Sequence, residues 1–254
     1  MSFNQSAADV LFIKGDRAKA AEMYYEGARA GEAKAAFDYA HCLRFGYGVE
    51  QNASLAKSFY TYARDLDGGA ALYNLAIMYL NGEGVEQDFK RALRYMHDAA
   101  QENCVEAMLY LGMAYTTGYM LYPDIIGIDM IPYHKPIIRD TGVFMLTGDV
   151  ASLEEDEERR FSVVSADARR AFEYFRAAAY HDPTYVEDLV AKGQYLYAKC
   201  YLDGMGTDFD RSKALTLMLV AGKSGSTEAV DYLESNGITH QMLLEAAQDL
   251  KNRK

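Results

Sequence analysis

Residues 71–106, ALYNLAIMYLNGEGVEQDFKRALRYMHDAAQENCVE, hold the reading on which the fold turns. Leu72, Leu75, Ala76 and Tyr79 recur at helical spacing and share one face of a helix, which the turn Gly82-Glu83-Gly84 ends. A second helix begins directly afterwards. Asp88 can accept the free N–H groups of its first turn, and Phe89, Ala92, Tyr95, Met96 and Ala99 form a wide apolar face. The unit is helix, glycine turn, helix.

The same marks recur at an interval of 36 residues: Gly46 and Gly48 precede Gly82 and Gly84 by it, and Gly118 follows Gly82 by it. Ala35, Ala71 and Ala107 keep the step. A residue able to cap the second helix stands at Asp16, Asn52, Asp88, Asp167 and Asp210 once insertions are allowed for. A small residue that lets helices approach closely falls at Ala20, Ala56, Ala92, Ala171 and Ala214. After the second helix come Gly31, Asp67, Asn103, Asp182 and Gly225, types that tolerate a left-handed turn at a helix end.

A helix pair repeated in this pattern, A…L-G/A…Y…G-x-G-V…D…A…A-A…G, resembles the Sel-one-like repeat family, relatives of the tetratricopeptide repeats. The copies that carry the resemblance are ALYNLAIMYLNGEGVEQDFKRALRYMHDAA, AFDYAHCLRFGYGVEQNASLAKSFYTYA and GQYLYAKCYLDGMGTDFDRSKALTLMLVAG, with DRAKAAEMYYEGARAGEAKA keeping mainly a second helix. It covers nearly the whole chain outside residues 120–165. The resemblance implies an all-α, right-handed α-solenoid of antiparallel helix pairs, an α/α superhelix with one long inserted loop, and a role in scaffolding and protein binding. We expect one solenoid over residues 1–254, with units at about 1–34, 35–70, 71–106, 107–192 and 193–228 and a cap at 229–254 whose last helix starts after Thr239.

The insertion breaks the period after Gly118-Tyr119-Met120. Ala92 and Ala171 are 79 residues apart where one period is 36, an excess of 43. Tyr119 to Leu146 is rich in Tyr, Ile, Met and Phe, and Pro123, Pro132 and Pro136 exclude a regular helix there. Ile137-Ile138-Arg139 and Val143-Phe144-Met145-Leu146 flank Asp140-Thr141-Gly142 as in a short hairpin, whereas residues 151–160 are charged and read as a solvated loop. The apolar part is expected to fold back on the first helices near Leu109 and Met113. Extra residues around Pro183 to Leu189 form a second, smaller insertion.

The 254 residues carry 37 acidic and 26 basic side chains, a net charge of −11 without a basic run, which argues against nucleic acid and against an anionic membrane as partners. Residues 1–15 lack a basic start, and no stretch reaches about 18 apolar residues. Cys42, Cys104 and Cys200 are odd in number and lack the spacing of a disulfide framework, so a cytoplasmic location is expected. Cys42 and Cys200 fall beside apolar helix positions and read as small buried hydrophobes.

The search for catalytic chemistry is negative. Asp140-Thr141-Gly142 matches the aspartic protease tripeptide but has no second copy to bring two carboxylates together. The five histidines are spread one per region without the spacing of a metal site, and the G-x-G turns have neither a preceding strand nor a Lys-Ser/Thr continuation. No metal or cofactor is assigned, and the chain is expected not to be an enzyme.

One feature exceeds what folding needs. A second stripe runs beside the core stripe of each first helix: Phe37, His41, Arg44 and Phe45; Tyr73, Ile77 and Leu80; Leu109, Met113 and Thr116; Tyr195, Lys199 and Leu202. In tetratricopeptide-like solenoids such a stripe lines the concave surface. The expected function is an adaptor that binds a peptide or protein segment in that groove. The alternative reading of the stripe is packing between adjacent first helices. The alternative function is a small-ligand receptor or enzyme with Asp129, His134, Arg139 and Asp140 of the insertion as polar candidates. Self-association through the 12 Met and 21 Tyr is a third. Limited proteolysis is expected to cut first within Ala151 to Arg160 and to spare Tyr119 to Leu146; rapid cleavage around Tyr133 to Arg139 would contradict a docked insertion.

Overall fold

The computed structural model describes residues 4–66, 68–118, 120–121, 128–129, 137–138, 160–161, 165–182 and 186–238. Eleven helices run through the described residues: α1 Gln5–Ile13, α2 Arg17–Arg29, α3 Ala33–Phe45, α4 Ala53–Leu66, α5 Gly69–Asn81, α6 Phe89–Gln101, α7 Val105–Thr117, α8 Ala168–Ala179, α9 Glu187–Asp203, α10 Arg211–Lys223 and α11 Thr227–Ser235. Consecutive helices pack on each other from α1 to α6 and again from α8 to α11. The fold is an α-solenoid of helix pairs, divided into two compact units, one running through Ala107 and the other starting at Met108.

Within each unit the two helices of a pair differ in how they are covered. The second helices are amphipathic: α6 buries Ala92, Met96, Ala99 and Ala100, and α8 buries Ala171, Phe172, Phe175, Ala178 and Ala179, with polar residues on the other side. Of the first helices, α3 and α5 are covered nearly all round. Every residue of α5 from Ala71 to Leu80 is buried, and α3 buries Ala35 to Asp38 and Ala40 to Arg44. A helix apolar on all sides has to be an inner element, so the first helices form the inner layer and the second helices the outer one.

The turns are built alike. In the regular pairs the carbonyl of Cys42, Met78 or Cys200 accepts from both Gly46 and Tyr47, Gly82 and Glu83, or Gly204 and Met205. The chain then returns so that the residue before the second helix donates its N–H to the first helix: Asn52 to Leu43 at 2.7 Å, Asp88 to Tyr79 at 2.9 Å and Asp210 to Tyr201 at 3.0 Å. The same bond closes the interrupted pair, Asp167 to Tyr115 at 2.8 Å. At its root the insertion is zipped by two short strands, β1 Met120–Leu121 and β4 Arg160–Phe161, paired antiparallel with Met120 opposite Phe161. The excursion therefore leaves the geometry of its helix pair intact.

Four of the five expected caps form: the side chains of Asn52, Asp88, Asp167 and Asp210 accept from the N–H of Leu55, Arg91, Arg170 and Lys213 at 2.9–3.0 Å. Each contributes about 1 kcal/mol. Asp16 does not cap α2: its backbone, at φ −82° and ψ 60°, departs from the extended conformation of Asp88, Asp167 and Asp210, and its carboxylate instead accepts from Lys19 Nζ at 2.9 Å. Gly31, Asn103 and Gly225 adopt positive φ as expected, whereas Asp182 does not. In the smaller insertion Glu187 to Leu189 are helical, so part of it lengthens the start of α9. In the large insertion β3, Ile137–Ile138, pairs with β2, Ile128–Asp129, in the register Ile128 to Ile138. Residues 143–146, expected as its hairpin partner, lie outside the described residues, as do the remainder of the apolar segment and residues 239–254, where a final helix is expected.

The second glycine of each regular turn has a steric cause. A Cβ at Gly84 would lie 2.5 Å from backbone atoms of Ala53 and Ser54, at the start of the preceding outer helix, and Gly48 and Gly206 press likewise on Arg17 and Ala168. Gly84→Ala is expected to cost about 3 kcal/mol, combining its positive φ with displacement of packed backbone. Gly15→Ala, also at positive φ but with nothing within 4 Å, should cost about 1–2 kcal/mol. Equal costs in urea denaturation would show that the close approach is not the reason.

Candidate functional site

The inner helices carry the stripe singled out from the sequence. In the first unit His41 is fully buried between the rings of Phe37 and Phe45, with centroids at 5.0 and 5.3 Å, and its Nδ1 lies 2.6 Å from the hydroxyl of Tyr60 on α4. Burial pushes the Tyr60 phenol above its usual range. His41 is thus held in place by its neighbours, and Phe37 lies under the edge of Tyr60.

Arg44, at the end of α3, is also buried. Its Nε and Nη2 donate to the two carboxylate oxygens of Glu83 at 2.6 and 3.0 Å, and its Nη1 donates to Asn74 Oδ1 at 3.0 Å. Asn74 Nδ2 in turn donates to the carbonyl of Ala70, and Asn81 Nδ2 to Glu83. Burial pushes the Glu83 carboxyl up, but its bonds to Arg44 and Asn81 outweigh that and leave it below the usual carboxylate value. Burial depresses the guanidinium, and Glu83 and Tyr60 more than offset it. Glu83 is the middle residue of its G-x-G turn, so this network ties α3 to the next pair. Met205, at the same place in its own turn, meets Thr116, whose hydroxyl lies 3.7 Å from Met205 Sδ.

Of the thirteen stripe residues, Phe37, His41, Arg44, Tyr73, Ile77, Leu80, Leu109, Met113 and Tyr195 are buried. Phe45 is 40% exposed and Thr116 is exposed, while Lys199 and Leu202 are half-buried. Phe45 stacks on Tyr47 at 5.6 Å, Arg44 lies 5.0 Å above the Phe45 ring, and Arg17 lies 4.8 Å above Tyr47. In the second unit Lys199 pairs with Asp203 at 3.3 Å, and burial, with Glu228 next, pushes the Tyr195 phenol up to about 12. The hydroxyl of Thr116 also bonds back to the carbonyl of Gly112.

A second recurring contact was legible in the repeat register but escapes a search for apolar stripes. Three residues after the cap, a cation reaches the tyrosine of the first helix: Arg91 to Tyr79 at 3.0 Å, Arg170 to Tyr115 at 3.1 Å and Lys213 to Tyr201 at 2.7 Å, each also above the ring. Asn74 and Glu83, the partners of Arg44, were not foreseen either. Of the polar candidates in the insertion, Asp129 stands opposite Ile137 in the β2–β3 pair, and His134, Arg139 and Asp140 lie outside the described residues. Cys42, Cys104 and Cys200 are all buried thiols. Among the described residues no three His, Cys, Asp or Glu converge as metal ligands, and no helix is long and apolar enough to cross a membrane.

Six stretches, residues 11–32, 33–68, 69–104, 105–126, 160–183 and 191–226, match the model of the Sel1 repeat. Chitin synthase regulatory factor 3 of Schizosaccharomyces pombe is 24% identical over 266 residues, which cover 91% of this chain and 28% of that protein. The chain thus spans little more than a quarter of that relative's length. The crystal structure of a Sel1 repeat protein from Oxalobacter formigenes matches with a TM-score of 0.61 at 22% identity, over 86% of this chain and 49% of the other, a likeness of fold. A putative Sel1 repeat protein from Klebsiella pneumoniae matches with a TM-score of 0.44 at 17% identity, over 90% and 88% of the two chains.

Arg44→Ala is expected to destabilise the protein by about 3 kcal/mol, because it strands the Glu83 carboxylate and the Asn74 amide in a mostly buried setting. Glu83 has a lowered folded-state value, so its contribution is present at neutral pH and is lost as pH falls through that value. Urea denaturation at pH 7 and at pH 3 should show the wild type losing more stability in acid than Glu83→Gln does.

Proposed function

The chain belongs to the Sel1 repeat family, whose members are generally protein-interaction scaffolds, and we propose that it is a non-enzymatic adaptor that takes up a peptide or protein segment along its inner helices. The observation that carries this reading is the exposed aromatic ledge at the end of α3. Exposed Phe45 stacks on half-buried Tyr47 with the rings 28° apart, and exposed Arg17 lies over Tyr47, while buried Arg44 lies 5.0 Å from the Phe45 ring and helps to fix it; aromatic rings and arginine dominate binding energy at protein interfaces. In the first unit the buried stripe residues Phe37, His41 and Arg44 act as the floor that holds this ledge rigid, so a partner pays little to order it. In the second unit Thr116, Lys199 and Leu202 offer the corresponding accessible positions. The S. pombe relative is named a regulatory factor, and regulation by binding a protein suits a chain of this kind.

The test is site-specific photo-crosslinking in the native cell. A photoreactive residue in place of Phe45 or Leu202 should capture a protein partner, while the same probe in place of Tyr180, which is 69% exposed at the end of α8, should not. With the partner in hand, Phe45→Ala should weaken its binding about tenfold or more. Capture from Tyr180 alone, or unchanged affinity in Phe45→Ala, would overturn the assignment.

A further inference from the structure

The N-terminal helix α1 covers the first unit with few apolar anchors. Ala8 and Phe12 are its buried residues, whereas Ile13 is 66% exposed. Leu11 packs half-buried against the same cluster, and the rest of the helix's hold is polar. Gln5 Nε2 donates to Asp9 Oδ1 on the same helix and to Asp38 Oδ2 on α3, both at 2.7 Å. Asp9 also accepts from the hydroxyl of Tyr24 on α2 at 2.8 Å and from Lys34 Nζ on α3 at 3.1 Å. One amide and two carboxylates therefore join three helices.

Asp38 is the strained member of this clasp. Its side chain is buried, and its Oδ1 has no hydrogen-bond partner, nor has the neighbouring Oε1 of Gln5. A buried carboxylate with one oxygen unbonded and a second carboxylate close by is poorly suited to hold a charge. The titratable groups around it are Asp9 from α1, Tyr24 from α2, Lys34 and Cys42 from α3, and Tyr60 from α4. Of these Lys34 alone is a cation, and its ammonium is already bonded to Asp9. Burial foremost, with Asp9 adding to it against Lys34 and the Gln5 bond, pushes the Asp38 carboxyl up to about 7.

We propose that α1 is a reversible cap whose docking on α2 and α3 is set by the protonation of Asp38: the neutral acid keeps the cap down and the carboxylate loosens it. Because the docked state holds the proton more tightly than the open one, docking is strongest below the ordinary carboxylate range. That advantage is lost as pH rises from there through about 7. Loosening uncovers the apolar cluster of Ala20, Ala21, Tyr24 and Cys42 beneath the helix, an edge on which another helix can stack.

Hydrogen exchange of the full chain, corrected for intrinsic rates, tests this directly. The opening equilibrium of residues 5–13 should be about tenfold larger at pH 7 than at pH 5.5, with α10 as an unchanging reference. Asp38→Asn should keep the helix protected and remove the pH dependence. A wild-type cap that opens equally at both values overturns the proposal. So does an Asp38→Asn chain that keeps the wild-type response, which would place the effect on another group. Should that variant not fold, carboxyl NMR of the wild type decides: an Asp38 midpoint near 7 supports the cap, and one near the ordinary value of about 4 overturns it.

Discussion

Where the turn of one helix pair meets the start of the preceding outer helix, there is no room for a side chain. Gly48 lies against Arg17, Gly84 against Ala53 and Ser54, and Gly206 against Ala168, backbone to backbone. This contact sets the distance between successive pairs, and the rest follows from it. At that spacing α5, between neighbouring pairs, is buried over ten consecutive residues, and a pair cannot bury its core alone. The interrupted pair has Met120 where the second glycine would stand, and there the chain leaves the array as the strand β1.

Polar groups inside such an enclosure need partners, and the first unit supplies them across neighbouring pairs. Arg44 is satisfied by Glu83 and Asn74 from the following pair, and His41 by Tyr60 from its own outer helix. A buried ion pair of this kind adds little net stability relative to apolar packing, because desolvation consumes most of the Coulomb gain. Its effect is on specificity. Arg44 finds both partners in one arrangement of α3 against α5 and its turn, which holds the register between pairs and leaves Phe45 at the surface in a defined place. The cation–tyrosine contacts of Arg91, Arg170 and Lys213 do the same within a pair.

The stripe on the inner helices shows how far the amino-acid order can be read. Its positions follow from helical spacing, yet burial separates them: Tyr73, Ile77 and Leu80 are enclosed while Phe45 is not. Nothing in the local pattern distinguishes these residues, since each is apolar and each stands beside a core position. The difference depends on what lies over each residue, and those atoms come from other helices. Asp38 is a sharper example. On α3 it stands among other polar residues, Lys34, His41 and Arg44, and only the placement of Gln5 and Asp9 from α1 makes it a buried acid beside another.

By itself the sequence determined the helix pairs, four of the five caps and the glycine turns, because each of these depends on residues within about ten positions of one another, and their recurrence set the 36-residue step. It also located the break at Gly118 and the resumption at Asp167, where the same closing hydrogen bond to Tyr115 forms across the insertion. The tertiary structure decided which residues of an inner helix are enclosed, which charges are paired and which carboxylate is buried beside another. Those properties are set by enclosure, and enclosure is the work of side chains distant along the chain, whose approach the packing of neighbouring pairs brings about.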